Sequence, residues 1–145
     1  MQSQKINHAA VWVAGVLVQF LPPLWYDTMF FGIRWMELNK VSEKDFADFS
    51  PLNFIWAILS AVALAYTLAW LFKSLNITTA LKGLQLAFLF WFSFLFLELA
   101  TQNAFTLRPF ELTLIDQMVV LIKYEIITLV LILWKKKDQA PSVAQ

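Results

Sequence analysis

The stretch Leu52–Phe72, LNFIWAILSAVALAYTLAWLF, decides the fold. It holds no Asp, Glu, Lys, Arg, Gly or Pro. A helix of about 20 predominantly apolar residues is what a bilayer crossing requires. Working outward, three more runs have this character. Ala9–Tyr26 carries no charge, Ala80–Ala100 carries Lys82 and Glu98, and Leu112–Trp134 carries Asp116, Lys123 and Glu125. Hydrophobic residues make up 60% of the chain and charged ones 14%, against about 25% charged in an ordinary soluble domain. So little polar residue cannot wrap four such helices in water. The expected fold is all-α: a four-helix transmembrane bundle forming one domain over residues 1–137, with a disordered polar tail over 138–145.

Local signals mark the ends. Ser50-Pro51 reads as an N-cap followed by proline at the first helical position. Thr78 or Thr79 can cap the third run. Arg108-Pro109 opens the fourth, and Lys135-Lys136-Lys137 closes it with cations that suit a helix C-terminus. The first run ends in the bulky Leu21-Pro22-Pro23-Leu24-Trp25-Tyr26, without the small-residue pattern of a cleavage site, so it is expected to stay attached. Pro22 and Pro23 lack two backbone donors and should kink that helix.

Flanking basic residues orient the spans. Lys5, Lys73, Lys82 and the three terminal lysines lie on one side, and Arg34, Lys40, Lys44 and Arg108 on the other. This bias places both termini in the cytoplasm. Trp12, Trp70 and Trp134 fall at the cytoplasmic ends, and Trp25, Trp35 and Trp56 at or near the opposite face, as interfacial aromatics do. In the long connection Asp27–Ser50, Phe31, Trp35 and Leu38 form an apolar stripe at helical spacing, which predicts a short interfacial helix. Ser42-Glu43-Lys44-Asp45 resembles a capping box ahead of a turn carrying Phe46 and Phe49.

Several function classes are excluded. A net charge of +1 gives no nucleic-acid surface. Without cysteine there are no disulfides, no thiol redox chemistry and no thiolate metal site. His8, the lone histidine, cannot supply a multi-histidine site. No cofactor or metal is expected. The expected partners are the lipid bilayer, a small lipophilic molecule or a proton, and a second copy of the chain.

Ile6-Asn7, Ala10-Val11, Leu24-Trp25-Tyr26, Phe31-Gly32 and Trp35-Met36 together resemble the opening of the bacterial membrane family called domain of unknown function 1761. The similarity continues through Arg108-Pro109, Leu114-Ile115-Asp116 and Trp134, and so spans nearly the whole chain. The chain departs from the family pattern in carrying Pro22-Pro23 where a glycine precedes the Trp-Tyr pair. The resemblance implies a four-helix integral membrane protein and carries no activity with it.

Polar residues inside a span are costly and are functional candidates by default. Gln19 and Lys123 lie near mid-span; Glu98 and Asp116 lie about 5 Å from the outer boundary at 1.5 Å rise per residue. Asp116 and Lys123, seven apart, share a face of the fourth span, while Glu125 points nearly opposite. Trp91, Glu98 and Gln102 share a face of the third at i, i+7 and i+11. Facing stripes would make an outward-opening pocket with a floor of Lys123, Gln19 and Trp91 and walls of Glu98, Gln102 and Asp116. Such a pocket suits binding or moving a small molecule or proton. Two alternatives stay open: an intramembrane enzyme on a lipid-soluble substrate, with Glu98 or Asp116 as acid or base, and an accessory subunit whose Phe88, Phe90, Phe92, Phe94 and Phe96 pack on a partner. The plain structural reading is a salt bridge from Lys123 to Asp116, Glu98 or Glu125 that locks the bundle, with Gln19 as interhelical glue.

Overall fold

The computed structural model describes residues 6–46 and 50–134. Lys5, Phe49, Lys135, Lys136, Lys137 and the tail over 138–145 lie outside the described residues. Among the described residues the chain is all helical, with no strand. In order it runs α1 (His8–Leu17), a 3₁₀ turn (Val18–Phe20), α2 (Leu21–Trp25), α3 (Gly32–Asn39), a second 3₁₀ turn (Glu43–Phe46), α4 (Pro51–Ser74), α5 (Ala80–Phe90), a π-helical turn (Trp91–Phe96), α6 (Leu97–Phe105) and α7 (Phe110–Leu133). Three helical runs, His8–Trp25, Pro51–Ser74 and Ala80–Phe105, are long and apolar enough to cross a membrane. They point to a membrane protein. Helix α7 matches α4 in length at 24 residues but carries Asp116, Lys123 and Glu125 within it.

The regular α-helix is interrupted just ahead of the prolines, where a 3₁₀ turn takes its place. Pro22 has no N–H to offer the Val18 carbonyl, and the N–H of Leu21 takes that carbonyl instead, one residue early. The helix tightens into the 3₁₀ turn and continues as α2. Ser50 caps α4 through Oγ, which accepts from the Leu52 N–H, with Pro51 following it. Thr79 stands at the N-cap of α5, though its hydroxyl makes no capping bond. Half of the anticipated capping box forms: the Ser42 N–H and hydroxyl both donate to Asp45 Oδ2, which holds that carboxyl below the usual range.

Three helices end alike without glycine. Lys40, Asn76 and Leu107 take left-handed backbone, and the following N–H of Val41, Ile77 and Arg108 bonds back to the carbonyl of Met36, Phe72 and Asn103. This is the Schellman arrangement, which satisfies carbonyls that a helix end leaves open.

Small residues bring the helices together. Ala10, Val11, Ala14 and Val18 on α1 and the turn after it pack against Ala61, Ala65, Leu68 and Phe72 of α4 and Ile127, Leu131 and Ile132 of α7. Close approach of this kind gives van der Waals contact where lipid offers no hydrophobic drive. At Gly15 a Cβ would meet Val62 Cγ2 at 2.9 Å. Gly15→Leu is therefore expected to lower stability by about 1–3 kcal/mol through overpacking. Val16→Leu, on the exposed side of the same helix, should leave it unchanged. Thermal unfolding in detergent checks the pair.

Helix α7 is central, packing against α1 to α6 and the π turn. Its buried residues include Thr113, Gln117 and Thr128 among Leu112, Ile115, Val119 and Ile127. The long helix that carries Asp116, Lys123 and Glu125 is thus the one most enclosed by the rest of the protein. The start of α1 and the end of α7 lie at the same end of the molecule, where Asn7 Nδ2 donates to the Trp134 carbonyl (2.9 Å) and His8 Nδ1 meets Tyr66 Oη (3.0 Å).

Candidate functional site

The opposite end holds a cluster built on Asp116. Helix α2 delivers Trp25 and Tyr26, and the chain then reverses through Asp27–Phe31. Asp27 organises the reversal: its carboxylate accepts from the Met29 N–H (2.8 Å), and its carbonyl accepts from Phe30 and Gly32 (both 3.0 Å). Gly32 opens α3 so close to the preceding strand of chain that a Cβ there would collide with the Tyr26 and Asp27 carbonyls. Glycine has no Cβ, so the backbone can pass.

The reversal lays α3 across the first turns of α7. Tyr26 Oη donates to Asp116 Oδ1 at 2.9 Å, and Trp35 Nε1 donates to the same oxygen at 2.8 Å. Trp25 Nε1 donates to the neighbouring Ile115 carbonyl at 3.0 Å. Trp25 packs on Phe31 with ring centroids 4.6 Å apart, and Tyr26 meets Trp35 edge-on at 5.2 Å. The second carboxylate oxygen, Asp116 Oδ2, bonds to no described residue, and no described cation pairs with Asp116. The side chain is thus oriented by two neutral donors, with no described cation against it.

A salt bridge fastens the same helix. Arg34 forks onto Glu111 in the first turn of α7, with Nε to Oε1 at 2.8 Å and Nη2 to Oε2 at 2.6 Å; Nη1 reaches Glu37 at 3.0 Å. These hydrogen bonds hold the exposed Glu111 carboxyl below the ordinary glutamate range. Because its folded-state pKa is depressed, the stabilisation is present above the unfolded value and is lost as pH falls through the folded one. The unfolding midpoint should therefore drop on acidification, and Glu111→Gln should remove that share of the pH dependence.

The six residues expected to line one pocket are distributed differently. Gln19 Nε2 donates to the carbonyls of Gly15 (3.0 Å) and Ala57 (3.2 Å), tying the first 3₁₀ turn to α4. Trp91 is buried and its Nε1 donates to the Gln117 carbonyl at 2.9 Å. Asp116 belongs to the cluster above. Lys123 is half-buried and makes no ion pair with Asp116, Glu98 or Glu125, so the anticipated locking salt bridge is not formed. Glu98 and Gln102 are exposed, and the walls assigned to them are not there.

The π turn explains the last correction. In an unbroken α-helix, at about 100° per residue, Glu98 and Gln102 fall within about 20° of Trp91, and Asn103 about 120° away. A π turn accommodates one extra residue, so everything after it lags by about 100°. Asn103 then shares the Trp91 face, while Glu98 and Gln102 turn off it. Asn103 is accordingly buried, and its Nδ2 donates to Thr113 Oγ1 at 2.9 Å.

Asn103, Thr113, Tyr26 and Trp35 were missed as site residues. For Tyr26 and Trp35 a signal was present, since the Trp-Tyr, Phe-Gly, Trp-Met and Ile-Asp blocks that carry the family resemblance meet in this cluster.

The family described as Protein of unknown function (DUF1761) matches residues 9–132. No curated protein matches the chain, and no solved structure does.

Proposed function

We propose, for a chain that belongs to the DUF1761 family, that it crosses the bilayer four times and binds a proton or a small cation at Asp116. Helix α7 supplies the fourth crossing, with both termini cytoplasmic and α3 lying in the outer interface. The observation that carries the binding reading is the Asp116 carboxylate, with Oδ1 held by Tyr26 and Trp35 and Oδ2 free of any described partner.

A carboxylate at membrane depth without a counter-cation is costly, and a proton or a bound cation removes that cost. Neutral donors suit such a site. They fix where the oxygen points, yet leave its charge for the ligand to meet. Lys123 stands two turns further along the same face, about 10 Å away at the rise of an α-helix, and it too has no described counter-ion. Its ammonium would repel a bare cation moving beyond Asp116.

Tryptophan emission tests the reading, because Trp35 bonds Asp116 directly. Protein in nanodiscs is titrated with acid while its emission is followed. The wild type should show a transition that Asp116→Asn lacks and that Lys123→Met shifts. An Asp116→Asn titration identical to wild type would sink the proposal. Vesicles holding a pH-sensitive dye then separate binding from movement, since only a conducting protein collapses an imposed gradient.

A further inference from the structure

The third long helical run has a turn that suits two registers. Its π segment, Trp91–Phe96, sits between α5 and α6, and the segment's residues make a continuous aromatic stack: Trp91 with Phe96 at 5.2 Å and Phe92 with Phe96 at 5.6 Å. Ahead of the turn, Gly83 abuts Ile132 of α7; beyond it, Asn103 bonds Thr113. The two helices run antiparallel, so interpolation between these contacts sets Glu98 level with Gln117. Gln117 is buried, and its Oε1 has no hydrogen-bond partner among the described residues. A buried amide oxygen left open is costly, and it marks a place where a polar partner belongs.

The partner must be a donor, and the helix contains one in the neutral carboxyl of Glu98, whose O–H can bond an amide oxygen where an ionised carboxylate cannot. Loss of the π turn would advance every residue after Phe96 by about 100°. Asn103 would leave Thr113, and Glu98 would swing from its exposed position onto the Trp91 face, at the level of Gln117. We propose that this helix exchanges two registers: the one with the π turn, in which Asn103 holds Thr113 and Glu98 is exposed, and an all-α one, in which Glu98 turns inward as the neutral acid and donates its O–H to Gln117 Oε1. The exchange moves a carboxyl group between the outside of the protein and its interior, and the inward form carries its proton with it. It is independent of the Asp116 reading, since neither register alters the contacts of Asp116 with Tyr26 and Trp35.

The absence of cysteine makes the test direct. Pairs of cysteines are introduced at Glu98 and Gln117, at Asn103 and Thr113, and at Leu97 and Gln117, and are cross-linked in membranes with a short thiol reagent. The 103–113 pair should couple quickly and the 98–117 pair more slowly. The 97–117 pair, which neither register brings together, should stay at background. Asn103→Leu removes the anchor of the π register and should raise 98–117 coupling at least severalfold without raising 97–117. Deleting Ser93 removes the extra residue itself. The helix can then be wholly α with Asn103 still inward, so 98–117 coupling should fall to background while 103–113 coupling persists.

A 98–117 rate unchanged by Asn103→Leu overturns the proposal, whether or not the deletion variant folds. So does a 98–117 rate that survives in a folded Ser93 deletion. Coupling of 97–117 that rises in step with 98–117 would mean general loosening, and it overturns the proposal as well.

Discussion

Asp116→Leu is expected to destabilise the protein by about 2–4 kcal/mol, with Asp116→Asn costing about 1 kcal/mol. Leucine keeps most of the volume but removes the oxygen that takes both the Tyr26 hydroxyl and the Trp35 indole N–H. Each donor then faces α7 with nothing to accept it. A stranded donor costs about 1–3 kcal/mol, and bonds to a charged acceptor stand at the upper end of hydrogen-bond strengths. Asparagine retains one carbonyl oxygen for the same two donors and gives up only the charge. Thermal unfolding in detergent ranks the two variants. Equal losses from both would mean that charge, rather than the geometry of the acceptor, holds α3 on α7.

Gly32→Ala should cost about 3 kcal/mol, with the effect centred on the reversal between α2 and α3. The added Cβ runs into the carbonyls of Tyr26 and Asp27, which are backbone atoms fixed by their own bonds. No side-chain rotation relieves the clash, so α3 must lift. Trp35 then leaves Asp116, and Arg34 is drawn from Glu111. Faster proteolysis between Asp27 and Lys44 and a red-shifted tryptophan emission would report the lifting. Because both substitutions break the same docking, Gly32→Ala with Asp116→Leu should cost clearly less than the two single losses together. Full additivity would show that the glycine turn and the carboxylate act separately.

The contrast between residues that the sequence placed well and those it did not has a physical basis. Apolar runs, the interruption of the first helix ahead of Pro22 and the Ser50 cap depend on neighbours within one helical turn, so local reading reaches them. The small-residue packing of Ala10, Ala14, Ala61 and Ala65 is legible only in retrospect, since it needs the partner helix to be known. Trp25 and Trp35 read as members of an interfacial belt. Their indole N–H groups also find the Ile115 carbonyl and Asp116, across some 80 to 90 residues of sequence. Nothing local shows that these indoles bond to α7.

The sequence by itself determined the apolar runs, where the first helix is interrupted and how α4 starts, because each follows from bonds closed within a few residues. Which face of a helix looks inward was decided by the tertiary structure alone. Periodicity extrapolates at a constant angle, and one π turn at Trp91–Phe96 shifts that angle for every residue beyond it. Asn103 thereby takes the inward position that counting had given to Glu98 and Gln102.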